Sequence, residues 1–258
     1  MRILLTNDDG IFARGLSVLR QTLEQIAEEI YVVAPDRERS AVGHAITMHR
    51  PLRARETSFD NPISKGWVVD GTPADCVKLG LESLVPQQPD IVVAGINLGP
   101  NLGTDVLYSG TVASALEGVI NGVPAIAVSL ATHQGQDFTY AAAYTKQLLP
   151  VVLQRGISRG TLLNINVPPG IPKGNRLTKL GSLVYVNAID RRTDPRGREY
   201  FWMAGKPMSV RSDPGTDIAA VRDGYISITP ITVDMTDYKS LESLNDWPFP
   251  DVTALFND

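Results

Sequence analysis

Residues 1–34 read MRILLTNDDGIFARGLSVLRQTLEQIAEEIYVVA. Residues 2–6 are a compact apolar run that ends in Asn7, Asp8, Asp9 and Gly10. Leu16, Leu19, Leu23, Ile26, Ala27 and Ile30 then recur at steps of three and four, which is one face of a helix. Residues 30–34 form a second buried-type strand, stopped by Pro35. Strand, helix and strand in this order predict a parallel βαβ unit.

The alternation continues outward from that unit. Residues 67–69 and 91–94 read as strands. Between them residues 73–84 read as a helix, with Thr72 as N-cap and Pro73 in the first turn. A helix over 111–120, a strand over 125–128, a helix over 138–153 capped by Asp137, and a strand over 162–167 follow. The pattern predicts an α/β fold, a parallel sheet with helices on both faces and right-handed crossovers. After about residue 170 Gly, Pro, Arg and Asp become dense, as in DRRTDPRGREYFW and RSDPGTD. Strand-like pieces at 200–203 and 225–231 predict hairpins and loops attached to the sheet.

Composition narrows the function. A chain of 258 residues can bury a sizeable core within one or two domains. Apolar residues at 43% and charged residues at 20% argue against wholesale disorder. A net charge of −4 argues against gripping a long nucleic acid. The one cysteine, Cys76, allows no intramolecular disulfide. The three histidines, His44, His49 and His133, form no metal-ligand spacing, so any metal must be held mostly by oxygens. No segment approaches the ~20 apolar residues of a membrane span, and no secretory pattern is visible. The expectation is a cytoplasmic protein with no membrane partner.

In an open α/β sheet, ligands bind outside the carboxyl ends of the strands. Four segments fall there. Asp8 and Asp9 end the first strand, and two adjacent carboxylates suit a hard cation or cap a turn. PDRERSAVGHAIT, 35–47, follows the second strand and carries Ser40; taken alone it reads as a solvated loop. GINLGPNLG, 95–103, offers the neutral oxygens of Asn97 and Asn101, and it is neither a dinucleotide fingerprint nor a Walker loop. In YSGTVASALEG, 108–118, Ser109, Gly110 and Thr111 stand at a helix start, which favours an anion or is simply capped by a hydroxyl. Their convergence on one crevice suggests a metal-plus-phosphate site for phosphate-ester hydrolysis.

These segments together resemble the SurE (survival protein E) family. ILLTNDDG, RERSA, VDGTPADCV, GINLGPNLG, YSGTVASALEG and GTDIAAVRDGYISITPITVDMTD match in order over nearly the whole chain. The resemblance implies a single domain over 1–258. It would comprise a three-layer Rossmann-like core over 1–170 and a C-terminal hairpin or extended oligomerisation arm over 171–258. It implies a 5′-nucleotidase that dephosphorylates nucleoside monophosphates, also 3′-monophosphates and short polyphosphate, by attack of a metal-activated water. It further implies one divalent cation, Mg²⁺ or Mn²⁺, on Asp8, Asp9, Ser40 and Asn97, with phosphate contacts from Asn101, Ser109, Gly110 and Thr111. Asp8 or Asp9 would act catalytically, and the arm would pair subunits into a homodimer or homotetramer. Some relatives carry a histidine where this chain has Ala219, two residues after Asp217. TNDDG is not the D-x-D nucleophile motif, so no aspartyl-phosphate intermediate is expected. The alternative is a nucleotide-binding module without hydrolysis.

Overall fold

A computed structural model describes residues 1–250 except 136, 187, 204 and 210–212. In chain order its core elements are β1 (Arg2–Thr6), α1 (Arg14–Leu23), β2 (Glu29–Pro35), β3 (Ala54–Ser58), β4 (Ser64–Val69) and α2 (Pro73–Leu79). There follow β5 (Ile91–Leu98), α3 (Gly110–Ile120), β6 (Ala125–Leu130), α4 (Thr139–Arg155) and β7 (Thr161–Val167). The remainder is β8 (Asn175–Leu177), β9 (Leu183–Val186), β10 (Ile189–Thr193), β11 (Glu199–Met203), β12 (Lys206–Ser209), α5 (Asp217–Arg222), β13 (Ile226–Thr232) and α6 (Tyr238–Leu244).

Among the described residues one sheet has nine strands, in the order β3-β4-β2-β1-β5-β6-β7-β13-β8. The run β4-β2-β1-β5-β6-β7 is parallel, as the alternating pattern predicts. β3 is antiparallel to β4, and β13 to β7. The chain steps outward from β1 to β2 and β4, then returns to the other side of β1 as β5. That reversal opens a crevice between the carboxyl ends of β1 and β5. One apolar cluster packs α1 and α4 on one face of the sheet, through Leu16, Leu19, Leu23, Ala142 and Leu149. Another packs α2 and α3 on the opposite face, through Cys76, Val77, Val112 and Ala115. The result is three layers, and Cys76 is a buried free thiol within one of them.

Three of the boundaries that differ from the sequence reading bear on the packing and on the crevice. Ile30 pairs with Ile3 inside β2, while α1 ends at Leu23. The helix predicted over 73–84 stops at Leu79 and finishes in a π-helical turn over Gly80–Leu84, closed by the Val85 N–H on the Gly80 carbonyl at 3.1 Å. The strand predicted to end at Ala94 continues to Leu98, with a register shift before Asn97 pairs with Ser129. Gly95 makes this possible: its φ is +136°, and a Cβ there would lie 2.3 Å from the Val128 carbonyl oxygen.

The chain after residue 170 divides in two. β8, α5 and β13 return to the main sheet, while β10–β11 and β9–β12 are separate antiparallel pairs. No helix among the described residues is long and apolar enough to cross a membrane.

At Gly15 of α1 the helix lies directly on the sheet, and a Cβ there would stand 2.0 Å from the Ile96 carbonyl oxygen. Gly15→Ala should therefore destabilise by about 1–3 kcal/mol through overpacking, despite alanine's better helix propensity. Urea denaturation checks this, and wild-type stability would remove the constraint.

Candidate active site

Asp8 and Asp9 leave β1 at the crevice. Asp8 is buried, and its Oδ1 accepts the Thr111 hydroxyl at 2.5 Å. The start of α3 comes this close because Gly110 has no side chain: a Cβ there would meet Asp8 Cβ at 2.8 Å and Oδ2 at 2.9 Å. Ser109 is the N-cap of α3, its Oγ accepting the Val112 N–H at 3.0 Å. So the hydroxyls of Ser109 and Thr111 are engaged with the protein itself, and the first-turn main chain of α3 faces the Asp8 carboxylate. Asp9 is half-buried and accepts a main-chain bond from Leu98 at the end of β5.

The loop after β2 lies across this pair. The Arg39 N–H donates to the Asp8 carbonyl at 2.7 Å, which brings Ser40 beside the turn. Ser40 is exposed, and its hydroxyl donates to Glu38 Oε1 at 2.7 Å. The rest of the loop is pinned to both neighbouring helices. Gly43 N–H donates to the Tyr108 carbonyl at 3.0 Å, and His44 Nε2 meets Glu117 Oε2 of α3 at 2.8 Å. Thr47 donates its N–H and hydroxyl to Asp75 of α2 at 2.9 and 2.6 Å. Asp75 also completes a capping box with Thr72, and the Thr72 hydroxyl donates to the Ala45 carbonyl at 2.7 Å.

The sequence reading missed this anchoring. In sequence His44 is only one of three scattered histidines, and Asp75 and Glu117 fall unremarked inside the two predicted helices. The T-x-x-D spacing of Thr72 and Asp75 signals the box but not the loop that shares its carboxylate.

The loop after β5 completes the crevice. Asn97 Nδ2 donates to the Gly99 carbonyl at 3.0 Å, and the exposed His133 ring lies against Gly99. Asn101 is buried and donates Nδ2 to Ser129 Oγ at 2.7 Å. Asp217, fully buried at the start of α5, accepts the N–H groups of Gly103, Gly181 and Ile218, each at 2.8 Å. Ala219 is buried within α5.

The electrostatics suit a cation. Burial pushes the Asp8 carboxyl up, opposed by the Thr111 hydroxyl. Burial and then the Asp8 charge push Asp9 up to about 6, and Glu38 adds to both. Among the described residues no Lys or Arg pairs with either carboxylate. Asn7 Oδ1, in the same turn, is buried without a partner. No three His, Cys, Asp or Glu side chains cluster as a metal site among the described residues. Two carboxylates, a hydroxyl and an amide carbonyl would instead form an all-oxygen donor set, which fits a hard divalent ion.

The Asp9 value carries a sign. Without metal, the folded protein binds this proton more tightly than the unfolded chain, whose value is 3.8. Stability should therefore rise as pH falls through about 6 and level off near about 4. Thermal melts in chelator, wild type against Asp9→Asn, should show a rise that the variant lacks; parallel curves would disprove it.

Comparisons with known proteins place the chain in a family. The family model described as "Survival protein SurE" matches residues 3–187. A protein named 5′-nucleotidase SurE from Desulforudis audaxviator (strain MP104C) is 63% identical over 251 residues, 96% of this chain and 98% of its own. One of the same name from Pelotomaculum thermopropionicum is 59% identical, covering 95% and 94%. The crystal structure of a SurE protein from Aquifex aeolicus superposes with a TM-score of 0.82 at 39% identity, covering 95% of this chain and 98% of that one. With that match spread over both the strand-end loops and the sheet that carries them, the chain belongs to the SurE family.

Proposed function

We propose that this protein is a metal-dependent phosphatase that hydrolyses nucleoside 5′-monophosphates to nucleoside and phosphate, and that it also accepts 3′-monophosphates and short polyphosphate. The observation that carries the reading is the Thr111–Asp8 bond. It sets the buried Asp8 carboxylate, with the half-buried Asp9 beside it, against the amide-rich start of a helix of 11 residues at the sheet's switch point. Relatives at 63% and 59% identity bear the name 5′-nucleotidase.

Asp8, Asp9, Ser40 and Asn97 would hold one Mg²⁺ or Mn²⁺. Such an ion, when bound, neutralises phosphoryl charge and lowers the pKa of a water. The protein's own groups do the rest. The Gly110 and Thr111 main chain and the Asn101 amide receive the non-reacting phosphate oxygens. Thr111 holds Asp8 in one orientation. Asp9 is less buried than Asp8, so it is the better placed of the two to take a proton from the attacking water. Asp217 is committed to three main-chain N–H groups and Ala219 has no ionisable group, so neither is placed as the acid.

The exposed apolar side chains of β10–β11, including Ile189, Phe201, Trp202 and Met203, support pairing of the C-terminal arm into a homodimer or homotetramer. Light scattering at micromolar concentration should return a multiple of 28.0 kDa. A monomer would overturn this part.

Purified protein should release phosphate from AMP or GMP only with Mg²⁺ or Mn²⁺. Turnover that survives extensive chelation, or calorimetric binding without turnover, would overturn the reading. Asp8→Asn should cost at least about a hundredfold in kcat, on the scale of losing one preorganised electrostatic group, with circular dichroism unchanged.

A further inference from the structure

Three buried side chains that the proposed chemistry does not use hold the loop over 99–103. Asn164 and Asn166 are alternate residues of β7, so they face the same side of the sheet, and both are fully buried. Asn166 grips the main chain of Asn101 with two arms: Oδ1 accepts the Asn101 N–H at 2.8 Å, and Nδ2 donates to the Asn101 carbonyl at 3.0 Å. Asn164 Nδ2 donates to the same carbonyl at 2.8 Å. Asp217 Oδ2 accepts the Gly103 N–H two residues on.

An inner strand gains nothing for the core from two asparagines. A buried amide is costly unless it is bonded, and apolar side chains would contribute burial instead. Here the amides replace the strand neighbour that the loop lacks. The loop needs such support, because Gly99 and Gly103 have φ of +125° and +54° and Pro100 has no N–H.

We propose that Asn164, Asn166 and Asp217 are positioning residues, a clasp on the main chain of Asn101 and Gly103 that presents the Asn101 amide to the substrate phosphate. The role toward phosphate rests on the nucleotidase reading, while the clasp rests on the geometry alone. The expected signature is a loss of phosphate affinity with metal affinity spared, because the metal set sits in the turn after β1, on the loop after β2 and before the clasp on β5.

The test uses the full-length protein with Asn166→Ala and Asp217→Asn. The second keeps an oxygen toward Gly181 and Ile218 and turns an amide toward the Gly103 N–H, donor against donor. In each variant KM for AMP and the inhibition constant of inorganic phosphate should rise at least about tenfold. A loosened loop readily costs that much, since displacements near 1 Å can cost about a hundredfold. The Mn²⁺ dissociation constant should move less than about threefold on that account. Amide hydrogen exchange should quicken over 99–103 while β6 and β7 stay protected. Ser227→Ala is the control: Ser227 sits opposite Asn166 in the β13–β7 register, its hydroxyl is buried without a partner, and all of these readouts should stay at wild-type values. If Asn166→Ala fails to fold, Asp217→Asn decides, since it disturbs a single bond. An unchanged phosphate constant in a folded variant, or Mn²⁺ affinity falling in step with it, would overturn the proposal. Wild-type protein that never turns over AMP would sink the nucleotidase reading instead, and the exchange measurement would still decide the clasp.

Discussion

The hydrogen bond from the Thr111 hydroxyl to the Asp8 carboxylate joins the turn after β1 to the start of α3, and the crevice is organised around it. A bond to a buried charged group contributes roughly 1.5–3 kcal/mol. That only partly offsets taking Asp8 out of water, so its proton affinity still rises. Asp9 next to it makes the ionised pair costlier. Protein groups alone leave the turn unsatisfied, and a divalent ion bound there, as proposed, would relieve both carboxylates.

The rest of the structure keeps that turn in register. Gly110 is bare because Asp8 occupies the space of its Cβ. Ser109 caps α3, so the helix begins at the carboxylate. The loop after β2 is tied to Asp75 and Glu117, and the loop after β5 to Asn164, Asn166 and Asp217. Ser40, Asp9 and Asn97 are exposed or half-buried at the crevice, while the buried Asn164, Asn166 and Asp217 hold the backbone behind it. This division matches what a phosphoryl site requires, since its catalysis is chiefly positioning and charge stabilisation.

Much of the fold was legible in the chain because its signals are local. Apolar runs at 2–6 and 30–34 are strands in parallel register, and Thr72-Pro73 starts α2. The edges were less legible. In sequence Gly95 ends a strand, yet in the sheet it lets β5 pass the Val128 carbonyl and resume pairing at Asn97. β3 and β8, at the two sheet edges, carry polar and exposed residues with little apolar period. β13 lies far along the chain and finds β7 only through long-range pairing.

The site divides in the same way. The sequence alone determined which donors exist: one cysteine, three scattered histidines, and an Asp-Asp pair at a strand end, hence oxygen chemistry or none. It also determined that Ser109, Gly110 and Thr111 open a helix. Only the tertiary structure decided what each of them touches. Thr111 turned to Asp8, and the N-x-N of β7 became the support of a loop more than 60 residues away in the chain. The physical reason is range. Periodicity and capping act within a turn or two of chain, whereas a buried hydrogen bond depends on which distant backbone the sheet order brings alongside.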